Sequence, residues 1–545
     1  MAAIVAADVL RRAVGPGPAP SVGVSVEAGS LASQHTTERL LARQGHDRAS
    51  AGRHGFAERV KQVENDTRSA LADLAGLLGV PVVWPAATTE TGSAAIAART
   101  AFVRLFEEGL IEEAERVVAV CTRCATPISG LDIEPAAHEA DLVTLRVTSD
   151  RGPIEVETFS LEFLPGVVAI AVVPGDPRSG GHASVPFTEG SVPVVAVEGV
   201  TVPMFLAAAH DPEAWLIARE RGIIPVPVLD EAGVVRAEGP LAGLGRYAAR
   251  TAARERLAAT GAIVRVQSAE ELAPRCRECG TAVVPVLGRQ WVLAERTLRR
   301  AAADAIREGD IRFAPGTLRD EFMVAASEGG EWILSGDLWA GVRVPAAACL
   351  DCGAVTVELD TGGSCGRCFG ALEPDRRSLD SHFVAAIWLL AATGWPQRED
   401  GPWHTAVDTA LVVTPTALAS WVVPAAALAL RLCGVIPFAQ VIAHEARGPD
   451  LVAPFEPTEV RAARMWLSGG ATDIDDARTL LDALDHPDPG APELDYDALA
   501  ASMAAAIADR TVAGAAEQVA TALSRGVPPP VAARMRRLTA QITGR

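Results

Sequence analysis

Residues 101–134 read AFVRLFEEGLIEEAERVVAVCTRCATPISGLDIE, and the organisation of the chain can be worked out from this stretch. Apolar residues recur at helical spacing from Ser93 to Gly109, and the run VVAV that follows is typical of a short strand. The strand leads into a C-x-x-C doublet, Cys121 and Cys124. The stretch therefore predicts a helix, a strand and one half of a metal site, in that order.

The chain has nine cysteines, and eight of them form doublets of this kind. Two thiolates three positions apart on a tight turn can face one ion, so each doublet is half of a tetrahedral zinc site. The last two doublets predict one zinc ribbon, and by elimination the first two pair with each other, which makes the residues between them an insertion. Because four thiolates leave no open coordination position, we expect two structural zinc ions. The predicted ligands are Cys121, Cys124, Cys276, Cys279, Cys349, Cys352, Cys365 and Cys368.

The composition limits the classes of function. The chain has 545 residues, 49% apolar and 21% charged, so it can bury a large core in several domains. Its formal net charge of −19 argues against binding nucleic acid through overall basicity, and any RNA contact must be local. Lys61 is the only lysine, which excludes chemistry that needs a lysine pair.

The residue pattern of the sequence changes after the first cysteine doublet. Short β-rich runs broken by Pro and Gly extend from Asp141 to Val197 and predict a β-rich domain. The domain closes with a helix for which Asp211 is the cap and Pro212 the first residue. Other helices are predicted at 56–79, 244–258, 294–308 and 318–328, and in an alanine-rich tail from 496 onward.

One uncharged segment, Thr409 to Leu430, is long enough to cross a bilayer, which takes about 20 residues. It contains Pro415 and Pro424, however, and divides into a β-branched run and an Ala/Leu-rich run. A buried strand followed by a buried helix is the better interpretation. Because the N-terminus carries no secretory signal, we expect a cytoplasmic protein with neither a membrane nor DNA as a partner.

A resemblance to a known family rests on the stretch quoted above together with AAAHDPEAW, VLDEAGVVRAEGPLAGLGRYAAR, CRECGTAVVPVLGRQW and SLDSHFVAAIWLLAATGWP. In register over about residues 8–470, the chain resembles class I aminoacyl-tRNA synthetases of the valyl/isoleucyl/leucyl group, as a truncated, degenerate valyl-tRNA synthetase. The resemblance implies an α/β fold: a Rossmann-like synthetase body interrupted by a β-rich editing-type insertion, with zinc knuckles and a short C-terminal helical tail.

The domains expected from this resemblance follow the same order along the chain. They are the first part of the body with the first zinc half-site (1–140), the editing-like β-rich domain (141–268), the return segment with the second half-site (269–345), the zinc ribbon (346–372), the second part of the body (373–470) and a helical tail, a remnant of an anticodon-binding domain (471–545).

The family makes aminoacyl-adenylate with four motifs, and none is intact here. By register, His-Ile-Gly-His would end about where the chain begins. Asp-His-Ala-Gly corresponds to VEAG at 26–29, Gly-x-Asp to PTA at 415–417, and the lysine loop to a segment without lysine between His444 and Val460. Each cation lost at a triphosphate costs several kcal/mol of transition-state stabilisation. We therefore expect no ATP-dependent tRNA charging and no ATP as a cofactor.

The resemblance also implies a second site, in the β-rich domain. There the family hydrolyses a mischarged aminoacyl ester with an ordered water, and an aspartate pairs with the α-ammonium of the substrate. Asp211, in His210-Asp211-Pro212, matches that aspartate. A helix cap is the alternative role for Asp211, and the two roles are compatible.

The opposite wall of the family's pocket is a threonine-rich strand. Here Thr158 and Glu162 are kept, whereas Phe159 and Ser160 stand at the second threonine and the arginine positions. These changes make the pocket drier, which disfavours water as the nucleophile and favours an amine or hydroxyl of a small acceptor. We predict Asp211, Thr158 and His210 as catalytic residues and Phe159, Ser160 and Glu162 as substrate-binding residues.

Three functions are consistent with these features. The first is an enzyme that binds an aminoacyl group of Val/Ile type, on a tRNA acceptor end or a small molecule, and hydrolyses it or transfers it to a small-molecule acceptor. The second is a non-catalytic module that binds tRNA, an amino acid or a partner synthetase. The third is a valine-tRNA ligase with a truncated start. Because the tail is short, we expect no anticodon reading in any of them.

Overall fold

The computed structural model describes residues 22–23, 29–77, 80–83, 92–309, 311–397, 410–414 and 417–443, and its fold is mixed α/β as predicted. The helices in these ranges are α1 (Leu31–Arg43), α2 (Arg48–Leu77, kinked at Gly52), α3 (Ser93–Glu107), α4 (Pro212–Glu220), α5 (Arg246–Thr260), α6 (Arg296–Glu308), α7 (Leu318–Ser327), α8 (Ser381–Ala392) and α9 (Val423–Cys433). The predicted helical tail and the lysine-loop segment lie outside the described residues.

The strands are short in the body and longer around the insertion. They are β1 (Val22–Gly23), β2 (Val82–Val83), β3 (Ile111–Cys121), β4 (Thr126–Pro127), β5 (Ile133–Ser149), β6 (Ile154–Thr158), β7 (Ala169–Val172), β8 (His182–Ser184), β9 (Val192–Ala196), β10 (Met204–Leu206), β11 (Ile263–Cys276), β12 (Val284–Ala294), β13 (Arg312–Ala314), β14 (Glu331–Ile333), β15 (Ser335–Gly336), β16 (Ala346–Cys349), β17 (Val355–Val357), β18 (Leu372–Pro374), β19 (Ser378–Leu379), β20 (Ala410–Val413) and β21 (Gln440–Ala443).

The body is organised around a parallel sheet of order β13-β21-β20. Helices α3, α6, α7, α8 and α9 share one apolar core with this sheet, as expected for parallel strands covered by helices. Phe102, Phe322, Phe383 and Val441 are fully buried in it. The uncharged segment forms β20, a π-helical turn at Leu418–Val422 and then α9, which confirms the predicted strand followed by a helix. No helix within the described ranges is both long and apolar enough to cross a membrane.

Two antiparallel ladders meet at the first group of cysteines. On the body side, β3 pairs with β12 from Ile111↔Leu293 to Val120↔Val284. On the far side, β5 pairs with β11, with Cys276 opposite Ile133. The chain thus leaves the body on β3 and β5 and returns on β11 and β12 beside the same cysteines.

The β-rich unit contains the second ladder and is a sheet of order β10-β7-β9-β8-β5-β11, with β6 paired to β5. Strand β5 begins at Ile133, ahead of the predicted boundary at 141, and β11 continues to Cys276, past the predicted boundary at 268. Residues 133–141 and 268–276 therefore form a two-stranded ribbon that connects the β-rich unit to the cysteines. Further along the chain, β17-β16-β18 forms the predicted zinc ribbon.

Candidate functional site

A cleft of about 500 Å³ opens where the β-rich unit faces the β3–β12 ladder. This volume lies within the roughly 300–1,000 Å³ range of small-molecule sites. Of the six residues predicted for the pocket, the structure brings five together on its wall: Thr158, Phe159, Ser160, His210 and Asp211. Much of the remaining wall is apolar and includes Val117, Val118, Phe163, Leu164, Val167, Met204, Phe205 and Ala207.

Asp211 caps helix α4, as its position before Pro212 predicts. Its Oδ1 accepts hydrogen bonds from the backbone N–H of Glu213 at 2.8 Å and of Ala214 at 2.9 Å. Both capping bonds use the same oxygen, so within the described residues Oδ2 has no hydrogen-bond donor. A cap and a ligand contact are therefore compatible, because each role has its own carboxylate oxygen.

His210 is 3% exposed, and both of its ring nitrogens contact the backbone. Nδ1 lies 2.7 Å from the carbonyl oxygen of Pro285 in β12, and Nε2 accepts from the N–H of Val228 at 2.7 Å and of Leu229 at 3.3 Å. Burial lowers the pKa of His210, so the neutral ring with the proton on Nδ1 fits these partners. A proton-transfer role would require one of these bonds to break; as arranged, His210 holds three segments of the cleft in place.

Thr158 and Ser160 form a polar turn at the end of β6. The Thr158 hydroxyl accepts a hydrogen bond from the N–H of Ser160 at 3.0 Å, and Thr158 pairs with Val143 in the sheet. Phe159, which lies between them in the chain, is half-buried and also lines the cleft. An aromatic residue therefore stands on the cleft wall at the position for which the resemblance implies a threonine.

Glu162 does not line the cleft. Its side chain is fully buried and forms ion pairs with Arg246 at 2.9 Å and with Arg250 at 2.8 Å. As placed, Glu162 positions two guanidinium groups rather than contacting a ligand. Desolvation alone would lower the pKa of Arg250, but the bonds and charges of Glu162 and Glu271 outweigh it and raise that pKa.

The two arginines are functional candidates that sequence reasoning missed. Arg246 lines the cleft, and Nη2 of Arg250 lies 3.4 Å from the hydroxyl of Ser160. The first turns of α5 thus bring two guanidinium groups to this end of the cleft. The available signal was their spacing of four, which places both on one helix face, but nothing local indicated that Glu162, more than eighty positions earlier, was their partner.

The eight paired cysteines form the two predicted groups. In each group the four sulfur atoms lie within 4.8 Å of one another. Sγ–Sγ distances such as 3.4 Å for Cys121–Cys279 and 3.7 Å for Cys352–Cys365 are close to the separation of about 3.8 Å that a tetrahedron with Zn–S bonds near 2.3 Å requires. Hydrogen bonds from Cys124 and Cys276 lower the pKa of Cys121, while the pKa of Cys124 is raised first by its hydrogen bonds to Cys121 and Cys276, then by burial and by repulsion from those neighbouring thiolates. A metal cation would relieve this repulsion, so both donor sets fit zinc.

A second cavity of about 500 Å³ lies in the body, between the starts of α1 and α8 and the turn before α9. Ser30, His382 and Ser420 line it, and Nε2 of His382 lies 3.1 Å from Oδ1 of Asp132. Ala417 also lies on its wall. Sequence reasoning did not anticipate the contact between His382 and Asp132, because it joins the body to the loop after the first cysteines.

Comparisons with known proteins identify a family and several relatives. The sequence profile of the family described as tRNA synthetases class I (I, L, M and V) matches residues 17–446. The valine–tRNA ligase of Thermus thermophilus is 30% identical over 482 residues, covering 82% of this chain and 56% of that protein. The valine–tRNA ligase of Desulfotalea psychrophila is 29% identical over 429 residues, covering 76% and 48%. The chain spans about half the length of these curated relatives.

Among solved structures, the LeuRS of Agrobacterium radiobacter K84, in a ternary complex with tRNA and LeuAMS, matches with a TM-score of 0.45 at 12% identity. The match covers 100% of this chain and 81% of that chain.

Proposed function

The chain belongs to the class I tRNA synthetases of the isoleucine, leucine, methionine and valine group, and on that premise we propose that it acts on an aminoacyl group in the cleft at Asp211. The aminoacyl group is of Val/Ile type and is carried on a tRNA acceptor end or a small molecule. The protein hydrolyses the ester or transfers the group to a small-molecule acceptor. The β-rich unit is its editing-like domain.

One observation carries this proposal: Asp211 caps α4 with Oδ1 alone and lines a ligand-sized cleft. The spare Oδ2 can accept a hydrogen bond from an α-ammonium, and such charge-assisted bonds are among the strong ones. The apolar wall suits a branched aliphatic side chain such as that of valine or isoleucine. An aminoacyl group carries an ammonium next to its side chain, and the free carboxylate oxygen next to an apolar wall matches both.

The other predicted residues have distinct parts in this proposal. The hydroxyl groups of Thr158 and Ser160, at the end of β6, orient the ester. Phe159 excludes water from that end of the cleft. His210 and Glu162 are positioning residues: His210 holds the backbone on which Asp211 sits, and Glu162 holds Arg246 and Arg250.

A cleft that excludes water favours transfer of the aminoacyl group over its hydrolysis. The nitrogen of an amine acceptor attacks the ester carbonyl carbon, the bond from that carbon to the ribose oxygen breaks, and an amide forms. One proton of the amine ends on the ribose oxygen, which leaves as a hydroxyl, so no ATP is consumed. Where water reaches the carbonyl instead, the same cleft yields the free amino acid.

ATP-dependent charging is not part of the proposed function. This part of the proposal is supported by the register of the resemblance, in which VEAG at 26–29, PTA at 415–417 and the lysine-free segment after His444 stand at the family's charging motifs. In that register the carboxylates and cations that would handle an amino acid and a triphosphate are replaced inside the chain. The two zinc ions have a structural role, and we keep the cytosol, where thiols stay reduced, as the expected compartment.

The test is ester loss from Val-tRNA and Ile-tRNA incubated with the purified protein. We expect faster loss than in buffer, and Asp211→Asn to slow it about tenfold or more, because asparagine keeps the helix cap but removes the negative charge. Adding glycinamide and identifying the product separates transfer, which gives a dipeptide amide, from hydrolysis. Loss at the buffer rate in every condition would refute an enzymatic role.

A binding module is the second candidate, and the engagement of both His210 nitrogens favours it, since the cleft then lacks an obvious general base. It predicts that Val-tRNA binds and is protected, with protection lost in Asp211→Asn. Pyrophosphate–ATP exchange with valine separates both candidates from a valine–tRNA ligase. We expect no exchange, and exchange at the rate of a charging enzyme would show that the ligase reading is correct.

A further inference from the structure

Arg246 presents a fixed cationic group to the same cleft. Its Nε donates to Glu162 at 2.9 Å and its Nη1 donates to the carbonyl of Val283 at 2.9 Å. The guanidinium also lies 5.3 Å from the ring centre of Phe163, which itself stacks on His210. These three contacts fix the position of the guanidinium group. The side chain therefore loses little conformational entropy when it binds a ligand.

One donor group of Arg246 is left over. Within the described residues Nη2 has no hydrogen-bond partner, and the side chain keeps 14% of its surface exposed on the cleft. Arg250 is different, since its Nε, Nη1 and Nη2 all contact Glu162, Glu271 or Ser160. Of the two guanidinium groups, only that of Arg246 has a nitrogen without any hydrogen-bond partner among the described residues.

The charges divide in the same way. Arg250 lies within ion-pair distance of two carboxylates, those of Glu162 and Glu271, whereas Arg246 shares Glu162 alone. Asp211 carries a carboxylate without a cationic partner among the described residues. The two carboxylates and the two guanidinium groups balance in charge, so Arg246 offers the cleft a free Nη2 donor on a paired cation, whereas Asp211 offers a carboxylate oxygen without a donor.

We propose that Nη2 of Arg246 binds an anionic oxygen group of the ligand whose ammonium is held by Asp211, so that the cleft selects ligands with both a positive and a negative end. This inference rests on the proposed function for the ammonium end. The anionic group is a carboxylate, from a free amino acid or an amino-acid-like acceptor, or a phosphate, from the end of an RNA. Both present oxygen atoms that suit a guanidinium.

The test compares ligand pairs that differ only in the negative end. The first pair is L-valine and L-valinamide. The second is 3′-valylamido-3′-deoxyadenosine with and without a 5′-phosphate. Dissociation constants are measured by calorimetry for the wild type, Arg246→Gln, Arg246→Lys and Arg254→Gln. Arg254 is the matched control, because it lies on the same helix in an exposed pair with Asp141.

We expect the anionic member of at least one pair to bind the wild type about tenfold more tightly, the worth of one bond to a charged group. Arg246→Gln abolishes that ratio, Arg246→Lys keeps part of it, and Arg254→Gln leaves it unchanged. A preference within the valine pair identifies a carboxylate as the anionic group, and a preference within the adenosine pair identifies a phosphate.

Ratios near one in the wild type for both pairs overturn the inference without any variant, so a folding defect in Arg246→Gln does not protect it. A ratio that survives in Arg246→Gln and Arg246→Lys also overturns it. The proposed function fails separately, when Asp211→Asn binds every ligand as well as the wild type does.

Discussion

At the scale of single residues, the cleft depends on groups that do not face the ligand. Glu162 and His210 are both almost fully buried, and each joins segments far apart in the chain. Buried ionic and polar groups are costly when a partner is removed, because the remaining group stays desolvated. The stability of the β-rich unit should therefore report on both residues.

Glu162→Gln should destabilise the β-rich unit by about 3 kcal/mol, because Arg246 and Arg250 would lose their common carboxylate while remaining largely buried. Glu155→Gln is the matched control: Glu155 pairs with Arg146 at 2.7 Å, but both side chains are about half exposed, so a change below about 1 kcal/mol is expected. Urea unfolding followed by peptide-resolved hydrogen exchange measures both. Equal losses of unfolding free energy in Glu162→Gln and Glu155→Gln would contradict the special role of the buried Glu162 ion pairs.

The pH dependence of stability follows from His210. Burial lowers its pKa from the ordinary 6.5, so the folded protein takes up the proton less readily than the unfolded chain does. The stabilisation is complete above about pH 6.5 and is lost as the pH falls from there toward the lowered value. We expect His210→Gln to flatten this slope and His182→Gln, an exposed histidine of the same unit, to leave it unchanged. A slope that persists in His210→Gln would refute the assignment.

At the scale of elements, local signals predicted well and long-range pairing did not. The C-x-x-C doublets, the cap at Asp211 and the helix that became Leu318–Ser327 depend on neighbouring residues, so the sequence was sufficient. The ribbon at 133–141 and 268–276 was missed because one face is exposed and the other only half-buried, and its sequence lacks an alternating pattern of large apolar residues. It even pairs Pro135 with Pro274, which a two-stranded ribbon tolerates.

The cysteines between the two ladders give the element-scale prediction. Cys276→Ser should lower the zinc content from two ions to one per chain and speed hydrogen exchange in 133–141 and 268–276, because the metal fastens the base of that ribbon. Cys349→Ser should remove the other zinc ion and speed hydrogen exchange only in the zinc ribbon, at 346–374. Mass spectrometry of the metal and of deuterium uptake measures both, and the same exchange pattern in the two variants would contradict this account.

At the scale of the whole molecule, the β-rich unit is docked on the body and not merely tethered to it. Trp215 of α4 lies under the guanidinium of Arg116 from β3 at 4.9 Å and under that of Arg219 at 4.6 Å. Arg116 is itself held by Glu331 and Glu112. The cleft lies at this junction, with walls from both sides.

Trp215→Ala should loosen this docking while leaving both zinc ions bound, since no cysteine is touched. Removing the ring deletes a buried aromatic and two cation–π contacts, so faster hydrogen exchange is expected in α4 and along the outer face of β3. Leu216→Ala changes an exposed neighbour on the same helix and should have little effect. Unchanged exchange in Trp215→Ala would mean that the junction is held by other contacts.

The central claim is that the cleft at Asp211, and not the cavity at Ser30 and His382, is the site for an aminoacyl group. A crystal structure of the protein with 3′-valylamido-3′-deoxyadenosine, which cannot be hydrolysed as an ester, tests this most directly. The account predicts the ligand in the cleft, with its ammonium on Oδ2 of Asp211 and its side chain against the apolar wall. A ligand seated in the body cavity, with the cleft empty, would contradict it.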